Sequence, residues 1–325
     1  MNSHKLLYIA QRILQLLPVV FLVLTLNFFL IQQAPGDMAD VMAGESGGAT
    51  PEYMESLRQQ FGTDQPVWNQ YTNYLWKISQ GDLGWSYRYN QPVVDLIVER
   101  IPTSALLMFS ALALAAVLGC LLGLMAALTK SRVVDWLLSS ISIIGFATPV
   151  FWTGLIFMVI FSVKLGWFPS SGFRTLGSDK EGFDAALDIG KHLVLPMACL
   201  TLYYLAIYVN LMRSSALDIL KMDFIQTAKA KGLAPWRIVK DHVFPNAMLP
   251  LVTMSALQFG TLFSGSITIE TVFGWPGLGS LTLYAVASRD MNLLLGILLM
   301  SSIFVLLVNL VTDLIYAAID PRVNV

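Results

Sequence analysis

An all-α integral membrane protein, with six membrane-crossing helices and a small outer insertion after the first, is the fold class that three observations in this sequence predict. Hydrophobic residues make up 56% of the 325 and charged residues 13%, against roughly 25% charged in an ordinary soluble domain. The apolar residues fall into six runs, at about 9–31, 103–128, 136–163, 193–212, 247–268 and 291–319. Each is long enough for a helix to cross a hydrocarbon core about 30 Å thick, which takes about 20 residues. Lys and Arg are shared unequally between the joining segments. With the N-terminus inside, eleven of the 20 lie inside, whereas acidic residues fall 6 inside and 15 outside. The first outer segment is long, so the basic bias per residue places both termini and the 213–246 segment on the cytoplasmic side.

The first run follows Lys5 and Arg12, as a signal peptide would. It is too long for one and lacks a convincing small-residue cleavage site, so it reads as a retained helix, with Pro18 placed to kink it. Residues 32–95 form the one stretch of soluble character: Gly, Pro, Gln, Asn and acids mixed with Trp68, Tyr71, Tyr74, Trp76, Trp85, Tyr87 and Tyr89. Such aromatics favour a membrane interface. Short helices are expected over 51–61 and 66–77, as a cap over the helix ends.

The five remaining runs make one domain over 96–319, followed by a short tail at 320–325. In the second run Gly119 and Gly123 form a G-x-x-x-G on one helix face, a pattern that lets helices approach closely. Cys120 and Cys199 sit in separate runs, where an isolated Cys behaves as a small apolar residue. Neither a disulfide framework nor a metal site is expected.

Between the fourth and fifth runs the sequence turns charged. Leu217, Leu220 and Phe224 recur at helical spacing, with Asp218, Lys221, Asp223, Lys229 and Lys231 mostly elsewhere around the wheel, which predicts an amphipathic helix over 217–231. Gly232 suits the left-handed conformation just past a helix end, and Pro235 suits the first turn of the next helix. The apolar stripe of this hairpin is buried either on its own bundle or in a partner's groove.

The outer segment 269–290 is punctuated differently. Gly274, Pro276, Gly277 and Gly279 rule out a regular helix there, yet Phe273, Trp275 and Leu278 are too apolar to be left in water. Irregular backbone at membrane depth is tolerated where it is buried in protein or lines a water-filled cavity, so this loop is expected to fold into the mouth of a pathway.

Thr227-Ala228, Gly232 and Phe244-Pro245, in that order, resemble the signature of type I ABC importer permeases, in which a Glu-Ala-Ala triplet is followed three residues later by Gly and at a fixed distance by Leu-Pro. Gln226, Thr227 and Phe244 stand where the general pattern has Glu, Ala and Leu, which points to one branch. Ala34-Pro35-Gly36-Asp37, Gly81-Asp82-Leu83-Gly84 with Ser86, residues 100–107, Thr148-Pro149-Val150-Phe151-Trp152 and residues 271–279 extend the likeness over nearly the whole chain. They are similar to the binding-protein-dependent permeases of dipeptide, oligopeptide and nickel importers.

The resemblance implies the type I importer permease fold in a bacterial inner membrane. It also implies a second homologous permease subunit, two ATP-binding subunits, and a periplasmic or extracellular substrate-binding protein. In that arrangement Gln226, Thr227, Ala228, Gly232, Phe244 and Pro245 form the coupling loop to the ATPase subunits. Phe273, Gly274, Trp275, Pro276, Gly277, Leu278 and Gly279 form an outer gate or receptor-docking element, and the 32–95 region is a cap, part of the docking face, or both. Lipid is the remaining partner; no nucleic acid is expected.

The chain is not expected to be an enzyme. His4, His192 and His242 are scattered, with no H-E-x-x-H, and no G-x-x-x-x-G-K-[ST] is present, so ATP and Mg²⁺ belong to other subunits and no cofactor to this one. The competing reading is an ion-coupled secondary transporter or channel, which would keep ionisable groups inside the membrane. The runs offer mainly Asn27, Asn210, Asn309 and Asp313. Among ABC permeases, a non-peptide solute such as nickel or an opine is the alternative to a peptide.

Overall fold

The computed structural model describes residues 3–33, 36–45, 50–129, 148–178, 180–260 and 266–319, with the single positions 131, 133, 136, 140 and 145. The chain divides into two units, residues 1–102 with 277–325 and residues 103–276.

In the first unit the N-terminal run forms one helix, α1 (Ser3–Gln32), with Pro18 inside it. Its Leu24 and Phe28 are buried, while Leu22, Leu26 and Leu30, four residues apart, face outward. The outer insertion then folds as four pieces. Helix α2 (Met38–Glu45) opens on a reciprocal cap, with the Asp40 N–H donating to Asp37 Oδ1 and the Asp37 N–H to Asp40 Oδ2, both at 2.9 Å. Helix α3 (Pro51–Phe61) is capped by the Thr50 hydroxyl and ends on Gly62 at φ 71°. Helix α4 (Val67–Ser79) follows, then a two-residue antiparallel ladder of β1 (Trp85–Ser86) and β2 (Gln91–Pro92). Tyr71 of α4 packs on Phe28, ring centroids 5.3 Å apart, and its hydroxyl lies 2.7 Å from Thr25 Oγ1. Arg58 ties α3 to the start of α2, reaching Asp37 at 3.1 Å and Asp40 at 3.0 Å. After helix α12 (Leu278–Ala287), α13 (Met291–Ile319) returns to pack along α1.

The turn between those two helices holds a buried acid. Asp290 accepts the Ser86 hydroxyl and the Leu293 N–H, and Asn292 donates to the Trp85 carbonyl at 3.0 Å. Burial pushes the Asp290 carboxyl above the ordinary carboxylate range, against the opposing pull of its bonds to Ser86, Leu293 and Arg88.

The second unit is organised on two long helices, the first of which begins before residue 103. Helix α5 (Val93–Leu128) carries Ala111, Ala115, Gly119, Gly123 and Ala126 on its buried side. Helix α7 (Gly182–Leu220) lies against that side so closely that a Cβ at Gly119 would fall 2.3 Å from Tyr208 Cβ, and one at Gly123 would fall 2.6 Å from the Val209 carbonyl. Without side chains at 119 and 123 the two backbones can make this approach. Helix α6 (Val150–Phe157) loosens into a π-helical stretch, Met158–Lys164. Helix α10 (Phe244–Gly260) packs on α7, with Tyr208 donating to Ser255 at 3.1 Å.

Three described helices are long and apolar enough to cross a membrane: Val93–Leu128, Gly182–Leu220 and Met291–Leu310. Leu17–Gln32, Val150–Lys164 and Leu278–Ala287 are shorter apolar helices. The architecture is therefore helical and multi-spanning as expected, while the number six is not fixed by these lengths. Much of the third predicted run, between 136 and 147, and residues 261–265 of the fifth lie outside the described residues.

Several elements differ from expectation, each for a physical reason. Helix α5 starts ten residues before the predicted run because Val93, Leu96 and Ile97 are buried while Asp95 and Glu99 sit on its exposed face. Helix α7 starts eleven residues early because the polar groups that would have ended it are satisfied. Buried Asp188 accepts the Thr175 N–H, the Thr175 hydroxyl and Lys180 Nζ, each at 2.7 Å, and His192 Nδ1 lies 2.8 Å from the Asp188 carbonyl. Helix α2 and the β1–β2 ladder were not expected at all.

Candidate functional site

Two stretches singled out by sequence fold into defined structures. The first is the hairpin that leaves the end of α7. It is not one helix over 217–231, as periodicity suggests. Helix α7 closes at Leu220 with the Lys221 and Met222 N–H groups donating to the Asp218 and Ile219 carbonyls, and Met222 is extended, φ −70° and ψ 150°. A new helix, α8 (Asp223–Ala230), then begins with Asp223 in its first turn, where a negative charge favours the helix N-terminus.

That break resets which side faces inward. Ile225 and Ala228 of α8 are buried, with Ala216 of α7, so Ala228 packs on its own chain. Phe224, expected on the buried stripe, is 42% exposed, next to Met222. Gln226 and Thr227 are also exposed, with the Thr227 hydroxyl donating back to the Asp223 carbonyl at 3.0 Å.

Gly232 ends the helix at φ 75°, as its position predicts, and a Cβ there would meet nothing within 4 Å. The Leu233 N–H reaches back to the Ala228 carbonyl. Helix α9 (Pro235–Ile238) starts on its proline and passes into a π turn, Val239–Val243. The Phe244 N–H bonds the Val239 carbonyl five residues back. Pro245 comes directly after this wider turn, which makes room for a ring that in a regular helix would clash with the carbonyl four residues earlier.

Trp236 lies across the hairpin tip, 59% exposed, with the Arg237 and Lys240 cations 5.4 and 5.9 Å from its ring centroid. The hairpin thus presents Met222, Phe224 and Trp236 outward, beside Lys and Arg. Sequence reasoning singled out neither Met222 nor Trp236. Their signal was an apolar residue beside each break in the hairpin, Met222 before α8 and Trp236 in the first turn of α9.

The second stretch is the turn 273–277 after helix α11 (Ile267–Val272). Gly274 adopts φ 58°, and the Trp275 N–H closes back on the Glu270 carbonyl at 2.7 Å. Trp275 is fully buried. Its indole N–H donates to the Thr103 carbonyl at 2.9 Å, its ring meets Phe173 edge to face at 5.0 Å, and the Thr103 hydroxyl donates to the Pro276 carbonyl. The Phe273 carbonyl accepts the Gly172 N–H at 2.8 Å, and Phe273 is buried too.

Behind the turn is a residue that sequence reasoning passed over. Glu270 has no exposed surface and accepts both Ser104 and Ser266 hydroxyls on Oε1, at 2.7 and 2.8 Å. Its signal was an acid amid the apolar stretch 267–273. Gly277, Leu278 and Gly279 are buried. Gly277 precedes α12, and Leu278 and Gly279 form its first turn, so the irregular segment is shorter than the Gly-Pro spacing suggests. The Ser280 hydroxyl accepts the Gly277 N–H at 3.2 Å.

Cys120 and Cys199 are free and buried, and among the described residues no group of three His, Cys, Asp or Glu is placed to hold a metal.

Comparison with known proteins gives a consistent result. The family model described as binding-protein-dependent transport system inner membrane component matches residues 119–325, and that described as the N-terminal part of the same membrane component matches residues 5–108. The di/tripeptide transport system permease protein DppB of Pseudomonas aeruginosa (strain UCBPP-PA14) is 36% identical, covering 98% of both chains. A putative peptide permease of Brucella suis biovar 1 is 38% identical over 98% of this chain and 99% of its own. The glutathione transport system permease protein GsiC of Escherichia coli O6:H1 is 37% identical over 98% of each. Among solved structures, an inward-facing form of the MetNI methionine ABC transporter superposes with a TM-score of 0.55 at 20% identity, covering 70% of this chain and 97% of that one. An amino acid ABC transporter chain superposes with a TM-score of 0.52 at 14% identity, covering 70% and 95%.

Proposed function

Because this chain belongs to the binding-protein-dependent transport system inner membrane component family, the multi-pass inner-membrane permeases of ABC importers, we propose that it forms half of a translocation path for peptide-like solutes. Membership implies ATP-binding subunits and a substrate-binding protein. The remaining half of the path is assigned to a second, homologous permease subunit. The peptide class rests on the relatives, whose printed names are di/tripeptide, peptide and glutathione permeases at 36–38% identity over nearly full length. The same relatives favour this reading over an ion-coupled carrier.

In this reading the 213–246 hairpin is cytoplasmic, as are both termini, and it docks on the ATP-binding subunits. The carrying observation is the outward set Met222, Phe224 and Trp236. Three large apolar side chains on one small charged hairpin suit a partner's groove better than water. Gln226 and Thr227 lie on exposed surface of the same helix, Ala228 and Gly232 set its seat and its end, and Phe244 and Pro245 fix where the hairpin rejoins the bundle. ATP and Mg²⁺ are held by the partners and no cofactor by this chain. The 273–279 turn is placed at the outer mouth, with Trp275 as the anchor that holds it rather than as a surface that meets the receptor.

The test is uptake by the complete importer in liposomes. Uptake of a dipeptide should require ATP and the binding protein, and persist with no ion gradient. Phe224→Asp should abolish binding-protein-stimulated ATPase activity while the permease still accumulates. Uptake that follows an imposed proton gradient without ATP would overturn the proposal.

A further inference from the structure

A cavity of about 420 Å³ in the first unit is bordered by a charged side chain. It lies between the end of α1, the Gly36–Asp37 turn, and the α12–α13 turn, and Arg289 is part of its wall. The Arg289 side chain has no acceptor and no carboxylate partner among the described residues.

Its backbone is also unusual. The Asp290 N–H bonds the Ala285 carbonyl and the Arg289 N–H bonds the Val286 carbonyl, the paired bonds of a Schellman cap, and Arg289 occupies its left-handed position at φ 55°. Glycine is the favoured residue there. An arginine in glycine's place, with its head unpaired beside a cavity, points to an anion.

The opposite wall carries the other charge. Asp37 lines the cavity, and Asp37 and Asp40 share Arg58, so that cluster keeps one net negative charge. A ligand with a phosphate and an ammonium a few ångströms apart matches both walls.

What else such a ligand carries is indicated by α1. Leu30 lines the cavity and continues the outward ridge Leu22–Leu26–Leu30, an apolar track about 12 Å long at 1.5 Å per residue. Trp68 and Trp76 on α4 and Tyr284 on α12 are each more than 60% exposed, and exposed Trp and Tyr mark the headgroup level of a bilayer.

We propose that this cavity binds the headgroup of an ethanolamine phospholipid, its phosphate on Arg289, its ammonium toward Asp37 and an acyl chain along Leu30, Leu26 and Leu22. The site does not depend on which solute the importer carries.

The experiment is native mass spectrometry of the intact, delipidated importer complex, titrated with phosphatidylethanolamine and phosphatidylglycerol of identical chains. Arg289→Gly is the informative variant, since glycine suits φ 55°. Removal of one charge-assisted contact should weaken binding of the ethanolamine lipid at this site about tenfold, and the parent complex should prefer it over the glycerol lipid. Leu30→Gln should weaken it as well, with Arg289 intact. Equal retention by the parent and Arg289→Gly overturns the proposal. So does equal or tighter binding of the glycerol lipid, or displacement of the lipid by inorganic phosphate alone.

Discussion

Gly232 sits at φ 75° with open space where a Cβ would go, so substitutions there separate backbone strain from side-chain bulk. A left-handed backbone costs an ordinary L-residue roughly 1–2 kcal/mol, more for a β-branched one, and little for Asn. Gly232→Ala should therefore cost about 1 kcal/mol and Gly232→Val about 2 kcal/mol or more, whereas Gly232→Asn should stay near the parent. If the strain is relieved by tilting α8 away from its seat, a 1–2 kcal/mol penalty lowers the docked population about 5- to 30-fold. The assay is binding-protein-stimulated ATPase activity and peptide uptake of the reconstituted importer, normalised to folded permease. The expected order of activity is Gly, then Asn, then Ala, then Val, which does not follow side-chain size. An order that follows size, or full uptake by Gly232→Val, would refute the argument from backbone geometry.

At the α5–α7 crossing, Gly119→Leu and Gly123→Leu should lower accumulation and detergent melting temperature before they lower specific transport, since overpacking commonly costs about 1–3 kcal/mol and the Cβ alone already meets Tyr208 or Val209; normal melting with selective loss of transport would place this face on the solute path. Trp275→Ala should remove about 3–5 kcal/mol of stability with its bond to the Thr103 carbonyl, seen as a lower melting temperature with basal and stimulated ATPase activity falling together, whereas a loss confined to stimulated activity would make the turn a gate. The Asp290 carboxyl binds its proton more tightly folded than unfolded, so its contribution to stability is full below the unfolded value near pH 4 and is lost as pH rises through the raised folded value. Asp290→Asn should flatten the melting-temperature profile above about pH 4, and an unchanged profile would assign the dependence elsewhere.

What could be read without coordinates was local chemistry. Gly232 before Pro235 announces a left-handed helix end because that choice depends on the backbone of a few residues, and the long apolar runs announce helices because a bilayer leaves no other use for them. What could not be read depends on partners far along the chain. Residues 182–192 look too polar to extend the apolar run, with Asp184, Asp188, Lys191 and His192 among them, until Thr175 and Lys180 fold back to satisfy the buried Asp188. The burial of Trp275 is equally hidden from a local reading, because the acceptor of its indole N–H, the Thr103 carbonyl, is 172 residues away. The phase of the hairpin was lost to the turn at Lys221–Met222, which lets Phe224 face outward and Ile225 inward. The cap between Asp37 and Asp40 could have revealed α2, since an acid followed three residues later by another is a helix-start pattern.

Helix α7 runs unbroken for 39 residues with Pro196 inside it, about 58 Å at 1.5 Å per residue, nearly twice the hydrocarbon thickness. One end is clamped at Asp188 to the 175–180 segment and the other delivers the chain into the hairpin. A rod of that length is a lever. Pivoted at the clamp, a tilt of about 5° sweeps the hairpin end through about 4 Å, comparable to the rise of one helical turn. An angular change too small to disturb side-chain packing near the fulcrum therefore becomes, at the far end, a displacement of most of a helical turn, which is the scale of movement that the proposed docking of the hairpin would transmit.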